Sequence, residues 1–402
     1  MRVAFALCAL MVVSTLIETR AASIVAVGPL DRDTVTELFG ISADGSVVAG
    51  RSWRGSGTSR AVRWTAATGT LALPDTPQGA VAYAVSGDGN YIVGHTGDDH
   101  GFRWSAASEI EIVGGAFAYA ASYNGSVVVG STIGPDRRAF RWSEADGLQD
   151  LGNSRATGVS ADGTIVVGQT TTPAGGFFRW TAEGGGVELG LGIAQAISAD
   201  GTTIVGGGAG NAFVWTEADG IRSIGGNVAY AVNADGSVIV GEGKDAFGDW
   251  HATLIHSRLG SRDLVDVLRC QGGNVAGWNL NEATGVSADG LTIVGNGTDP
   301  GGNRYGWVAQ LDPIAHPGDA DGNGKVDIND LNLVRNNFGS EGAPVLGDTD
   351  YDCGVTIDDL NAVRNNFGWV EVRQVPEPSS FAAMLCCLSV FGFYFHLRRG
   401  SA

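Results

Sequence analysis

One short unit recurs seven times along this chain, and it limits the fold more than any other feature. The copies align on an Asp-Gly or Asn-Gly pair whose first residue is Asp44, Asp88, Asn124, Asp162, Asp200, Asp235 or Asp289. Six positions later each copy has a glycine: Gly50, Gly94, Gly130, Gly168, Gly206, Gly241 and Gly295. Two positions before the pair stands a serine (Asn233 in the sixth copy), and four before it the residue is always Gly or Ala. A period near 40 residues, held at this many positions, marks a repeat architecture in which each unit needs its neighbours.

Within a unit the pattern reads as strands. A short apolar run enters Ser-Ala-Asp-Gly, expected as a hairpin whose two-residue Asp-Gly turn accepts positive φ. A Val/Ile run ending at the late glycine is the second strand. A third ends at Trp64, Trp104, Trp142, Trp180, Trp215 and Trp307, with Ile255 near that place in the sixth copy. A fourth, such as Ile110–Val113, Leu148–Leu151 or Ile221–Ile224, leads onward. Four strands per unit predict a propeller blade. The small residue before each turn fits an inner strand crowded near the axis. The last copy lacks a fourth strand before Pro313, while Ser23–Val27 is a spare strand at the start. A ring of seven blades latched by that exchange follows, with one short helix near Asp263–Leu268. The fold class is therefore all-β, a seven-bladed propeller over 22–312, followed by a small all-α module over 313–372.

Composition agrees. The 402 residues include 63 Gly without a Gly-X-Y period, and 44% are apolar, which excludes collagen and simple disorder. The net charge of −18 repels phosphate backbones and argues against nucleic acid as a partner. Of the five cysteines, only Cys270 and Cys353 lie outside the terminal apolar runs, and their spacing excludes a CxxC-type zinc site. A bridge between these two is open at this level, neither required nor excluded.

The repeats, over roughly 36–310, resemble the HAF repeats of extracellular proteins, named for a His-Ala-Phe triplet before a Trp. Here the triplet is degenerate, as in His100-Gly101-Phe102, Arg138-Ala139-Phe140 and Asn211-Ala212-Phe213. That resemblance implies no activity. His251, His256 and Asp249 form no metalloprotease pattern, and the turn serines sit in no nucleophile elbow. Glu109 and Glu111 share a strand face but are expected on an outer strand in solvent. The repeated Asp is explained by turn geometry alone. No catalytic residue is assigned.

The charge is concentrated where the repeats end. In 318–368, ten acids face three bases. Two 12-residue stretches there match the oxygen-ligand spacing of a calcium loop, with ligands at positions 1, 3, 5, 7, 9 and 12. The first supplies Asp319, Asp321, Asn323, the Lys325 carbonyl, Asp327 and Asp330, with Gly324 at the sharp sixth position. The second supplies Asp348, Asp350, Asp352, the Gly354 carbonyl, Thr356 and Asp359, but has Cys353 at position 6. It is expected to bind a second Ca²⁺ more weakly. Each loop runs into one phrase, Leu331–Phe338–Gly339 and Leu360–Phe367–Gly368, whose Leu, Val and Phe at i, i+3 and i+7 predict one apolar helix face stopped by glycine.

Two loop–helix units without entering helices resemble type I dockerin. The resemblance implies calcium-dependent docking onto a cohesin-like partner or another surface protein. In that family loop positions 10 and 11 contribute to partner choice; here they are Ile328, Asn329, Ile357 and Asp358. Dockerins usually attach carbohydrate-active proteins, so an extracellular polysaccharide is a further expected partner.

Both termini read as addresses. Residues 1–21 have the charged start, apolar core and small-residue exit of a secretory signal. At the other end Pro376-Glu377-Pro378 precedes an uncharged run over 381–397 and Arg398-Arg399. Seventeen helical residues span roughly 26 Å, the short limit for a membrane helix, and the arginines would stay on the cytoplasmic side. Residues 373–402 resemble the PEP-CTERM sorting signal, which implies recognition by an exosortase. The expectation is an exported surface or extracellular binding protein without catalysis; the alternative is a carbohydrate-active enzyme or accessory protein.

Overall fold

The computed structural model describes residues 22–371, apart from Ser56, Asp75, Pro135, Asp136, Asn153, residues 172–174, Ala209 and Ala246. Residues 1–21, expected as a secretory signal, and the Pro376-Glu377-Pro378 tail lie outside the described residues. Among those described, no helix is long and apolar enough to cross a membrane.

Twenty-eight of the described segments are strands, and they form seven four-stranded antiparallel sheets. Each sheet is one repeat in chain order, for example Val35–Ile41, Val48–Trp53, Arg60–Thr65 and Gly69–Ala72 in the first. The seventh combines Asn279–Val286, Thr292–Thr298 and Arg304–Gln310 with Ser23–Val27 from the start of the chain. The expected exchange is present: Ser23 pairs with Gln310 and Val27 with Gly306. The first strands of successive sheets contact one another, and those of the seventh and first also meet, so the ring closes. This is a seven-bladed β-propeller.

Two repeated residues have reasons that the structure makes explicit. The late glycine faces a bulge in the first strand of its blade; the register shifts between Leu38 and Gly40, and again between Ala156 and Gly158. The bulge turns a carbonyl toward the glycine, so that a Cβ on Gly50 or Gly168 would collide with the Glu37 or Arg155 oxygen. The turn glycine lies at positive φ in every copy, from +67° at Gly125 to +78° at Gly290. The turn itself is longer than the two-residue form expected. Gly45 N–H bonds the Ser42 carbonyl at 3.0 Å and Ser42 N–H bonds the Val47 carbonyl at 2.8 Å, so Ser42–Gly45 forms a turn in which only the glycine is left-handed. The aspartate is occupied otherwise. Ser42 Oγ donates to Asp44 Oδ1 at 2.6 Å, and the same oxygen accepts the Ser46 N–H at 3.0 Å. Those bonds, the serine's first, hold Asp44 below the usual carboxylate range. The repeated Asp is structural.

The core is divided among the blade interfaces. Val93, Ala118, Val128 and Phe140 form one such cluster, and Val167, Ala194, Ile204 and Phe213 another. Helix α1, Leu264–Cys270, is capped by Asp263 and buries Leu264, Val267 and Leu268 against the sixth and seventh blades.

Beyond Asp312 lie two further helices, α2 (Ile328–Asn337) and α3 (Ile357–Asn366). Their shared core departs from the expected one. Phe338 and Phe367 are C-cap residues in extended conformation and are 53% and 55% exposed. Val326 and Val355, at loop position 8, take their place beside Val334 and Val363. Each helix stops a residue before the phenylalanine, which carries that ring off the buried face.

Candidate metal centre

Each 12-residue loop is built by backbone donors that turn toward carboxylates. In the first, Asp319 accepts the N–H groups of Asn323 and Gly324 at 3.0 and 2.9 Å. Asp330, fully buried, accepts Ala320 N–H at 2.8 Å and Asp327 N–H at 2.7 Å. Carboxylate oxygens of Asp319, Asp321 and Asp330 thereby lie within 4.8 Å of one another. In the second loop Asp348 accepts from Tyr351 and Cys353, and Asp359 from Thr349 and Thr356. There Asp348, Asp350 and Asp352 form the group within 4.8 Å.

Not every expected ligand joins these groups. Asp327 and Thr356, at position 9, are the N-caps of α2 and α3, accepting from Asn329 and Asp358 and completing capping boxes with Asp330 and Asp359. Asp359 is buried but outside the second carboxylate group. Asn323 lies at the fifth position of the first loop, and Lys325 and Gly354 occupy the seventh positions. Ile328 and Ile357 are exposed, at 54% and 55%.

The electrostatics favour a cation. Burial, then the charges of Asp330 and Asp321, raises Asp319 above the usual carboxylate range. Burial raises Asp348 to about 7, with Asp359 and Asp350 adding repulsion. Asp350 Oδ1 is buried without a hydrogen-bond partner. An orphaned carboxylate oxygen among mutually repelling acids fits a hard divalent ion.

The two units hold one another. Gly324–Val326 of the first loop pairs with the segment after α3, through Glu371 N–H to the Gly324 carbonyl and Val326 N–H to the Trp369 carbonyl, at 2.8 and 2.9 Å. Cys353–Val355 of the second loop pairs with the segment after α2, through Gly342 N–H to the Cys353 carbonyl and Val355 N–H to the Ser340 carbonyl. Cys270 and Cys353, left open by the sequence, form a disulfide with a Cα separation of 4.9 Å, joining α1 of the propeller to the second loop.

The propeller has a concave site of its own that no sequence motif announced. A cavity of about 440 Å³ at one end of the ring is lined by Glu37, Glu242, Glu282, Asn296, Trp250 and Tyr305, from the first, sixth and seventh blades. Arg51 pairs with Glu37 at 2.6 Å. Glu242 and Glu282 stand in no ion pair among the described residues. Burial raises Glu282 above its usual range, and Asn296 Nδ2 donates to it at 2.9 Å. Next to this cavity the axis of the ring is lined by Phe39, Tyr83, Tyr119 and Tyr230. Glu111 lies on an outer strand, as its place in the repeat suggested, and there pairs with Arg103 at 2.7 Å, a partner the sequence did not indicate.

No protein-family model matches the chain, and no curated protein matches it. Among solved structures it is similar to an oligogalacturonate lyase in complex with manganese, at 14% identity over 72% of this chain and 91% of that one, with a TM-score of 0.49. TolB from Acinetobacter baumannii is similar at 10% identity over 56% of this chain and 61% of that one, with a TM-score of 0.38. Neither similarity bears on what the propeller binds.

Proposed function

We propose that this is an exported surface or extracellular binding protein that uses a calcium-loaded, dockerin-like module to dock a partner protein. The observation that carries the reading is the pair of three-carboxylate groups in matched 12-residue loops, each running into a capped helix. Asp319, Asp321, Asn323, the Lys325 carbonyl, Asp327 and Asp330 would hold one ion. Asp348, Asp350, Asp352, the Gly354 carbonyl, Thr356 and Asp359 would hold the other. Calcium suits six to eight oxygens in a flexible loop, and when bound it supplies the charge that lets neighbouring carboxylates stay ionised. Exposed Ile328 and Ile357, with Asn329 and Asp358, form the surface offered to a cohesin-like partner. The signal over 1–21 directs export, and an exosortase acts on the Pro376-Glu377-Pro378 tail.

Titrating calcium into the full chain by calorimetry should show two binding events, and capture of the partner from the producing cell should need calcium. Capture that survives chelator, or that is unchanged in an Ile328→Asp, Ile357→Asp variant, would overturn the docking reading.

A second reading, action on a polysaccharide, is favoured by the mouth cavity. Carboxylates and amides beside aromatic faces are the groups that hydrogen-bond and stack on sugars. A carboxyl raised by burial beside others is also the arrangement of glycoside hydrolysis. New reducing ends from a panel of neutral polysaccharides, lost in Glu282→Gln, would support it; their absence leaves binding as the function.

A further inference from the structure

The two loops reach the same backbone shape by different chemistry. At positions 4 and 6 the first has Gly322 and Gly324, at φ +69° and +80°. The second has Tyr351 and Cys353 at φ +60° and +66°, a region that residues carrying a Cβ disfavour. Both of these residues are tied outside their loop. Cys353 is bonded to Cys270, the last residue of α1, a helix whose apolar face is buried in the propeller. The Tyr351 hydroxyl accepts the Ala315 N–H at 3.1 Å, on the segment leaving the seventh blade. That segment is itself fixed next to Cys270, since Gln271 bonds both the N–H and the carbonyl of Asp312, at 2.9 and 3.0 Å.

Cys353 also sits where a change of its φ would be felt by ligands. Its N–H donates to Asp348 Oδ2 at 2.9 Å, and its neighbours are Asp352 and Gly354. The positive charge of Arg262, on the outer strand of the sixth blade, reaches Asp350 from the propeller side. In the first loop the left-handed positions are glycines, which need no such restraint.

We infer that the propeller is a structural part of the second cation loop: the Cys270–Cys353 bond and the Tyr351 anchor hold two disfavoured residues in place, so that reducing the disulfide weakens this site selectively and spares the first. The inference rests on the loops binding calcium. Reduction by dithiothreitol delivers two electrons and two protons to the S–S bond, giving two thiols while the reagent closes to its cyclic disulfide. Cys353 is then free to leave φ +66°, and Asp348 Oδ2 loses the Cys353 N–H, one of the backbone donors that orient this carboxylate. By linkage, calcium in the second loop must in turn resist reduction by the same factor.

The test uses the full chain with Asp319→Ala to silence the first loop, so that calorimetry with calcium reads the second alone. Dithiothreitol, with Cys353 alkylation followed by mass spectrometry, or Cys270→Ser should each weaken binding at least about tenfold. The intact first loop, read in an Asp348→Ala chain, should not respond. Cys353→Gly also lacks the bridge, but glycine accepts the left-handed angle; it should recover most of the affinity and ignore dithiothreitol. Equal affinity in the oxidised chain, the reduced chain and Cys270→Ser would overturn the inference. So would Cys353→Gly binding as weakly as Cys270→Ser. No calcium uptake by either loop in any state would instead overturn the metal reading beneath it.

Discussion

The N–H of Ala288 donates to the carbonyl of Ala43 at 2.8 Å, joining the hairpin of the seventh blade to that of the first. The same bond runs from Ala43 to Gly87, Tyr123 to Ala161, Ala161 to Ala199 and Ala234 to Ala288, and one residue further on from Asp88 to Tyr123. The seventh and first blades are thus joined twice, by the backbone bond between their hairpins and by the outer strand Ser23–Val27. The serine–aspartate–glycine turn shapes both its own hairpin and the carbonyl offered to the preceding blade.

Removing residues 22–30 should open the outer closure. The deletion strips five paired positions from Arg304–Gln310 and uncovers the core around buried Val27. The propeller's melting temperature should fall by about 10 °C or more, read by calorimetry. An unchanged melt would mean that the hairpin bonds suffice.

Gly168→Ala should destabilise by about 3 kcal/mol, because its Cβ meets the Arg155 carbonyl and the bulged strand has to move. Ser160→Ala should cost about 1–2 kcal/mol, since Ser160 Oγ both donates to Asp162 and accepts the Ile165 N–H. Urea unfolding of the two variants would rank them. The reverse order would refute the account of the late glycine.

In the acidic module, calcium should raise helix content, and Asp319→Ala should remove the part of that gain contributed by α2 while α3 still responds. Asp330→Ala should be as severe, because its carboxylate closes the loop onto Ala320 and Asp327. Thr356→Ala removes an N-cap and should cost about 1 kcal/mol. Circular dichroism with calcium and with chelator checks all three. Full helix in chelator would sink the claim.

Truncation after Phe367 should impair the first loop although it touches no ligand. The lost residues include Trp369 and Glu371, whose backbone pairs with Val326 and Gly324. Hydrogen exchange at Val326 should accelerate, while Val355, held by Ser340, stays protected.

The pH dependence follows from Asp348. Its pKa in the folded, metal-free chain is raised to about 7, above the unfolded value, so the folded state binds the extra proton. Without metal this carboxyl makes stability fall as pH rises from about 4 to about 7. Calcium needs the ionised form, so affinity at the second loop should drop as pH is lowered from 7.5 to 5.5 and one proton should be released on binding at pH 6. Calorimetry in buffers of different ionisation enthalpy measures that proton. Uptake of calcium without pH dependence would contradict it.

What the sequence determined by itself was everything held within a few tens of residues. The seven turns could be read because Ser42, Asp44 and Gly45 satisfy one another locally, and the acidic loops because their carboxylates fall at fixed spacings within twelve consecutive residues. Even there, local reading failed where one step of backbone mattered: the turn is longer than Asp-Gly alone suggests, and Phe338 and Phe367 fall just past the helix ends, leaving Val326 and Val355 to fill the core. The signal was present in both loops as an aliphatic at position 8, but only packing gives it meaning. Tertiary structure alone decided the rest. Glu37, Glu242 and Glu282 share a cavity because ring closure brings the first, sixth and seventh blades side by side, and no spacing along the chain encodes that. Cys270 and Cys353 are 83 residues apart. They meet because α1 is buried against the propeller and the segment leaving the seventh blade, bonded to Gln271 and to Tyr351, brings the second loop beside it.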